Sequence, residues 1–139
     1  MGRLLVAFVL LSAPLTLPAC AQGGAKLAEC QKLVDAVSAE DKKLAGPDPS
    51  DAAAMQELAK KLDEASVAVG AVFVTVPELV AQRDAIQKSW SAAAAAVRLA
   101  VLAAEKADPL RATQAQEDSA TAGRRYTDAV AEVNRFCHE

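Results

Sequence analysis

Residues 55–76 read MQELAKKLDEASVAVGAVFVTV. Met55, Leu58, Leu62, Ala65, Val69, Val72 and Val76 recur at alternating steps of three and four, the spacing that lines one face of an α-helix. Gln56, Glu57, Lys60, Lys61, Asp63 and Glu64 fall between them and form the polar side. An amphipathic helix owes most of its stability to packing, so a seam like this one needs other helices against it. The flanking sequence supplies them, and the reading is a bundle.

Composition points the same way. Hydrophobic residues make up 53% of the chain, yet much of that is alanine and aromatics reach only 4%. Few aromatics and few glycines disfavour a β-sandwich, whereas abundant Ala, Leu, Glu, Gln, Lys and Arg favour helix. At 139 residues the chain is one domain. Lys and Arg number 15 against 18 Asp and Glu, for a formal charge of −3. A mildly acidic chain without a basic stripe argues against nucleic acid as a partner.

Upstream of the seam, a first helix is expected over about residues 26–45. Leu27, Cys30, Val34, Val37 and Leu44 share one side, with Leu33 beside them and Asp41 on the stripe near its end, within reach of water. Gly46–Pro47–Asp48–Pro49 stops it. Asp48 or Ser50 is placed to cap a second helix over 49–75, with Pro49 in its first turn. From Ala65 to Pro77 no side chain is ionisable, and Gly70 sits among β-branched residues. A strand there is conceivable, but the heptad register runs through and no partner strand appears elsewhere.

Downstream, Thr75–Val76–Pro77–Glu78 reads as a capping box that restarts the chain as a third helix over 77–107. Its inward side is Leu79, Ile86, Trp90, Ala93, Val97 and Val101, and the run Ala92 to Ala96 lets a neighbour approach closely. Asp108–Pro109 breaks and recaps. A fourth helix over 109–137 carries Ala112, Ala115, Ser119, Ala122, Tyr126, Val130, Val133 and Cys137 on one face, with Gly123 a weak spot.

Four helices joined by short turns run up, down, up, down, so the expected fold is an all-α, up-down-up-down four-helix bundle over 26–139. That topology brings the start of the first helix and the end of the fourth together, and Cys30 and Cys137 lie there. At about 1.5 Å per residue, Trp90 and Tyr126 each stand roughly 15–20 Å above that end and are expected to share a core layer. Phe73, Phe136 and the turn between the second and third helices fall at the disulfide end.

Residues 1–19 read as a signal peptide. Arg3 gives a positive start, and Leu4 to Leu11 form an apolar core too short to span a bilayer, ahead of a processing region broken by Pro14 and Pro18. Leu17–Pro18–Ala19–Cys20 resembles the lipobox of bacterial lipoproteins, with an aliphatic residue at −3, a small residue at −1 and then cysteine; Pro18 at −2 departs from the usual small residue. The resemblance implies that the Cys20 thiol takes a diacylglyceryl group and becomes the N-terminus, on a tether of residues 20–25. Ala21 and Gln22 lack the aspartate that would imply inner-membrane retention, so the resemblance implies an outer-membrane address. Ala19–Cys20–Ala21 is also an A-x-A site for ordinary signal peptidase, which would release a soluble periplasmic or extracellular chain from Gln22. Either processing removes Cys20 from the thiol count and leaves Cys30 and Cys137 to pair in an oxidising compartment.

The residues hold no recognisable active site. Glu40–Asp41, Asp63–Glu64, Glu117–Asp118 and Asp128 with Glu132 lie on or beside expected solvated faces, with Arg124 and Arg125 one turn before the last pair to compensate its charge. His138 is the single histidine, so a di-iron bundle, which needs two E-x-x-H pairs, has no ligands, and a zinc site has too few. A haem site of the C-x-x-C-H type has Cys137–His138 but Asn134 where the first cysteine belongs. Neither phosphate-binding glycine loop is present, and no nucleophile has an oriented base. The expectation is therefore a non-enzyme without metal or cofactor. Its partners would be the membrane, through acylated Cys20, and an envelope protein. A soluble module holding a small apolar ligand in an alanine-lined core is the other reading. One surface candidate stands out: the charge-free corner containing Val67, Val72, Phe73, Val74 and Val76, which faces membrane or partner unless it is simply the buried end of the core.

Overall fold

The computed structural model describes residues 23–46 and 49–139. They form four antiparallel helices, α1 (Gly24–Leu44), α2 (Ala52–Gly70), α3 (Pro77–Glu105) and α4 (Pro109–His138). The all-α, up-down-up-down bundle expected from the heptad seam is the fold. The leader, Cys20, the start of the tether and the Pro47–Asp48 turn lie outside the described residues.

The core collects the stripes read from the sequence, except that Leu27, expected on the inward side of the first helix, is 36% exposed because it lies in the first turn of α1, beyond the disulfide. Cys30, Leu33, Val34 and Val37 from α1, Leu62, Ala65 and Val69 from α2, Leu79, Ile86, Trp90, Ala93 and Val97 from α3, and Ala122, Val130 and Val133 from α4 are all buried. Trp90 is the largest fully buried side chain, and its ring stacks on that of Tyr126 with centroids 5.5 Å apart. The shared layer is therefore real. Above it, α3 and α4 turn to small residues: Ala96, Ala100 and Ala103 on one helix and Ala115 and Ser119 on the other are buried.

The helices are unequal, and the register of their contacts shows the consequence. Cys30 faces Cys137 and Asp41 faces Tyr126, so α1 runs antiparallel along the C-terminal half of α4. It ends three residues after Asp41, which leaves the first half of α4 beyond its reach. Ser66 meets Gln87 and Asp63 meets Arg98, so α2 lies along the middle and C-terminal part of α3. The disulfide end is thus built from α1, α3, α4 and the α2–α3 loop, and the opposite end from α2, α3 and α4. Gly70 marks the close approach of α2 to α3, because a Cβ there would collide with the side chain of Gln87.

Three local readings are corrected. Helix α2 ends at Gly70, not at residue 75, so the seam stops at Val69 and Val72 and Val76 are half-buried loop residues. Gly, with its higher backbone entropy, followed by the crowded Val72–Val76 run, ends the helix where the pattern alone would have continued it. The cap of α2 is Asp51, whose side chain accepts the Ala54 N–H at 2.8 Å; Ser50 does not take that role, Pro49 precedes the helix, and Asp48 lies outside the described residues. The N-cap residue of α3 is Val76, not Thr75, and no side chain of the Thr75–Glu78 pair caps it. The Asp108 break holds as read, with its carboxylate accepting from Leu110 and Arg111 at 3.1 Å.

Candidate functional site

The site builds from the loop that replaces the last expected turn of α2. Residues 71–76 leave the helix with a backbone whose polar groups need partners, and three side chains distant in sequence provide them. The Glu29 carboxylate of α1 accepts the Thr75 N–H at 2.7 Å, the Val76 N–H at 2.9 Å and the Thr75 hydroxyl at 2.6 Å. Lys32, one turn later, donates to the Phe73 carbonyl at 3.3 Å. Arg83 of α3 donates to the Val72 carbonyl at 3.1 Å while its other nitrogens hold Asp84. The Thr75 hydroxyl first, then the Val76 and Thr75 amides, hold the Glu29 carboxyl below its ordinary value, because each bond favours the charged form. Glu29 thus does from α1 what Glu78 was expected to do locally: it accepts the Thr75 amide ahead of α3, and the Val76 amide with it.

The pinned loop sorts its apolar side chains. Val74 is buried and Val72 and Val76 are half-buried, whereas Phe73 is 72% exposed and Val67, one turn from the end of α2, is 69% exposed. The corner expected as one unit is therefore split between core and water. Cys30 and Cys137 form the disulfide beside it, with Cα atoms 5.9 Å apart. Close by, the Lys26 ammonium lies 4.2 Å above the Phe136 ring, a cation–π contact that covers half-buried Phe136.

A second cluster lies where α1 ends. The Tyr126 hydroxyl donates to the Asp41 carboxylate at 2.5 Å across α1 and α4. Burial raises the Asp41 carboxyl and the hydrogen bond from Tyr126 opposes it; burial, with the adjacent carboxylate, also raises Tyr126. Asp41 is thus no solvated carboxylate, and neighbouring Glu40 is buried too, paired with Lys43 at 2.6 Å. The Trp90 indole N–H finds no acceptor among the described residues.

Several other carboxylates are engaged structurally. Asp63 pairs with Arg98, Glu64 with Lys60 and Asp118 with Gln114, while Glu132 pairs with Arg135 at 2.6 Å and not with Arg124 or Arg125, two turns before it. Arg124 instead donates to Thr121. Among the described residues no three His, Cys, Asp or Glu side chains gather where a metal could bind, and no helix is long and apolar enough to cross a membrane. The interior crevice lined by Leu33, Val34, Val37, Ile86, Val130 and Val133 has no room for a water. Larger hollows are open surface grooves, such as that of about 370 Å³ between Gln56 of α2 and Arg98, Val101, Leu102 and Glu105 of α3.

Sequence reasoning missed Glu29, Lys32 and Arg83. Thr75 and Glu78 carried a local capping signal, but the true partner of Thr75 stands on another helix. No family model matches the chain, and neither a curated protein nor a solved structure matches it. What defines the class is the architecture itself: a four-helix bundle clasped at one end by a disulfide.

Proposed function

We propose that the chain is a secreted, lipid-anchored helical bundle of the bacterial cell envelope that acts by binding or scaffolding. The observation that carries this reading is Leu17–Pro18–Ala19–Cys20 placed directly after a short apolar leader. Two features of the mature domain support it. The Cys30–Cys137 bond suits an oxidising compartment. The carboxylates of the described residues are largely held in structural pairs and bonds to the backbone, which favours a binding role over acid–base catalysis. A small apolar ligand in the core has less support, because the core crevice is closed.

The test is the intact mass of the protein from bacterial envelope fractions, with and without reductant. A chain beginning at Cys20 and carrying a diacylglyceryl group supports the reading. A mass matching Gln22 to Glu139 removes the anchor and leaves a soluble envelope module. In either case reduction should add the mass of two hydrogens.

A further inference from the structure

We propose that the bundle rests on the lipid bilayer through Phe73, so that the disulfide end faces the membrane and the α3–α4 turn points away from it. This orientation depends on the lipid anchor proposed for Cys20.

The chain emerges at the disulfide end. Helix α1 begins at Gly24, and Cys30 lies only about 9 Å further along its axis. Three residues separate Cys20 from Gly24, so an acylated Cys20 holds the start of α1 within about 14 Å of the lipid. The bundle end that carries the α2–α3 loop is therefore the end nearest the anchor.

That end also presents apolar side chains. Phe73 is 72% exposed on a loop whose own side chains carry no ionisable group, and Leu27 in the first turn of α1 is partly exposed at the same end. The opposite end exposes Leu102 and Leu110, which stand among Arg98, Glu105, Lys106, Asp108 and Arg111. The charged neighbours of Phe73 are Glu29, Lys32 and Arg83, and each is bonded to the loop backbone, so the ring enters the headgroup region at the smaller cost.

The loop is held in a way that suits such a contact. An apolar phase offers no partners to backbone groups, so a segment that approaches it must satisfy its own. Val72 donates to the Val69 carbonyl, the carbonyls of Val72 and Phe73 accept from Arg83 and Lys32, and the amides of Thr75 and Val76 are taken by Glu29. The three charged groups thereby spend their bonds on the loop, and Phe73 is held outward by built contacts.

Charge at this end is nearly balanced. Lys26, Lys32, Arg83 and Arg135 are set against Glu29, Glu78, Asp84, Glu132 and Glu139. With no basic excess, the contact is apolar, and docking should not depend on anionic lipid or on salt.

The experiment uses the acylated protein on neutral phosphatidylcholine vesicles with brominated acyl chains, in three tryptophan variants: Phe73→Trp, Val67→Trp and Leu110→Trp. All three positions are exposed, and buried Trp90 is a background common to all. Flotation with the vesicles and intact mass report the anchor separately from the contact. The expected result is that Phe73→Trp emission shifts to the blue and loses roughly half its added intensity to bromine, while Val67→Trp, about 15 Å further up the bundle at the level of Gln87, and Leu110→Trp are unaffected. Anchored chains in which all three added tryptophans stay unquenched would overturn the docking, leave the lipoprotein reading intact and assign the corner to a protein partner. Quenching of Leu110→Trp alone would reverse the orientation and equally overturn it. Chains that neither float nor carry the lipid mass would remove both the anchor and the inference built on it.

Discussion

The two ends of this bundle are held by different means. At the disulfide end, large side chains (Leu33, Val37, Leu79, Ile86) fill the space between α1, α3 and α4, a covalent bond joins the outer helices, and Glu29, Lys32 and Arg83 tie down the connecting loop. At the far end α1 is missing, and α3 and α4 meet through alanines. One end relies on volume and cross-links, the other on close backbone approach. The end with the tighter clasp is also the one that exposes Phe73, which is the arrangement expected where a rigid surface must present an apolar residue.

Breaking the clasp tests this contrast most severely. Replacing Cys30 and Cys137 together by serine frees a connection spanning 107 residues, and the chain-entropy model predicts a loss of about 4.7 kcal/mol. Urea unfolding measures the loss, and hydrogen exchange should show α1 opening before α3 and α4. If α1 and α4 lose protection together, the clasp acts on the whole bundle and the two ends are not independent.

Trp90→Ala should cost about 3–5 kcal/mol, because it empties the layer where the two halves join and removes the stack on Tyr126. Ala96→Leu should cost less, about 1–3 kcal/mol, by forcing α3 from its neighbour at the alanine end. A larger effect at Ala96 than at Trp90 would reverse the assignment of volume to one end and close approach to the other. Tyr126→Phe, which leaves the half-buried Asp41 without its donor, should cost about 1–3 kcal/mol. Urea midpoints of the three variants give the ranking.

The smallest effect is the pH dependence, where two carboxylates on α1 have opposite signs. Glu29 titrates below its ordinary 4.5, so its contribution is present above that value and is lost as pH falls through its lowered folded pKa. Asp41 titrates above its ordinary 3.8, so its contribution is present below that value and is lost as pH rises through its raised folded pKa. Urea midpoints followed from pH 3 to pH 7, a range of about one unit below to a few above these values, should lose part of their acid decline in Glu29→Gln and show a steeper rise with pH in Asp41→Asn. Equal profiles for both variants would mean that neither bond matters to folding.

Much of the fold was legible because its signals are local and periodic. The stripes of α1 (apart from exposed Leu27), α3 and α4, the Asp108 break and the pairing of Cys30 with Cys137 come from spacing and topology, and the structure has them. The end of α2 was not legible, since Val72 and Val76 continue the heptad register while the backbone beneath them has already left the helix. The capping box at Thr75 misled for a related reason: its residue types are right, but Glu29 is a stronger partner supplied from another helix. Asp41 and Glu40 looked solvated because helical spacing alone does not say where a neighbouring helix will lie.

The sequence by itself determined the four helices, most of their inward faces and the clasp, because periodicity, breakers and cysteine count act over a few residues or through topology. Only the tertiary structure decided which apolar residues of the corner stay in water, which carboxylate holds the loop and where α1 stops along α4. Those outcomes depend on side chains far apart in the chain meeting in space, as Glu29 meets Thr75 and Asp41 meets Tyr126. No local pattern encodes such a meeting.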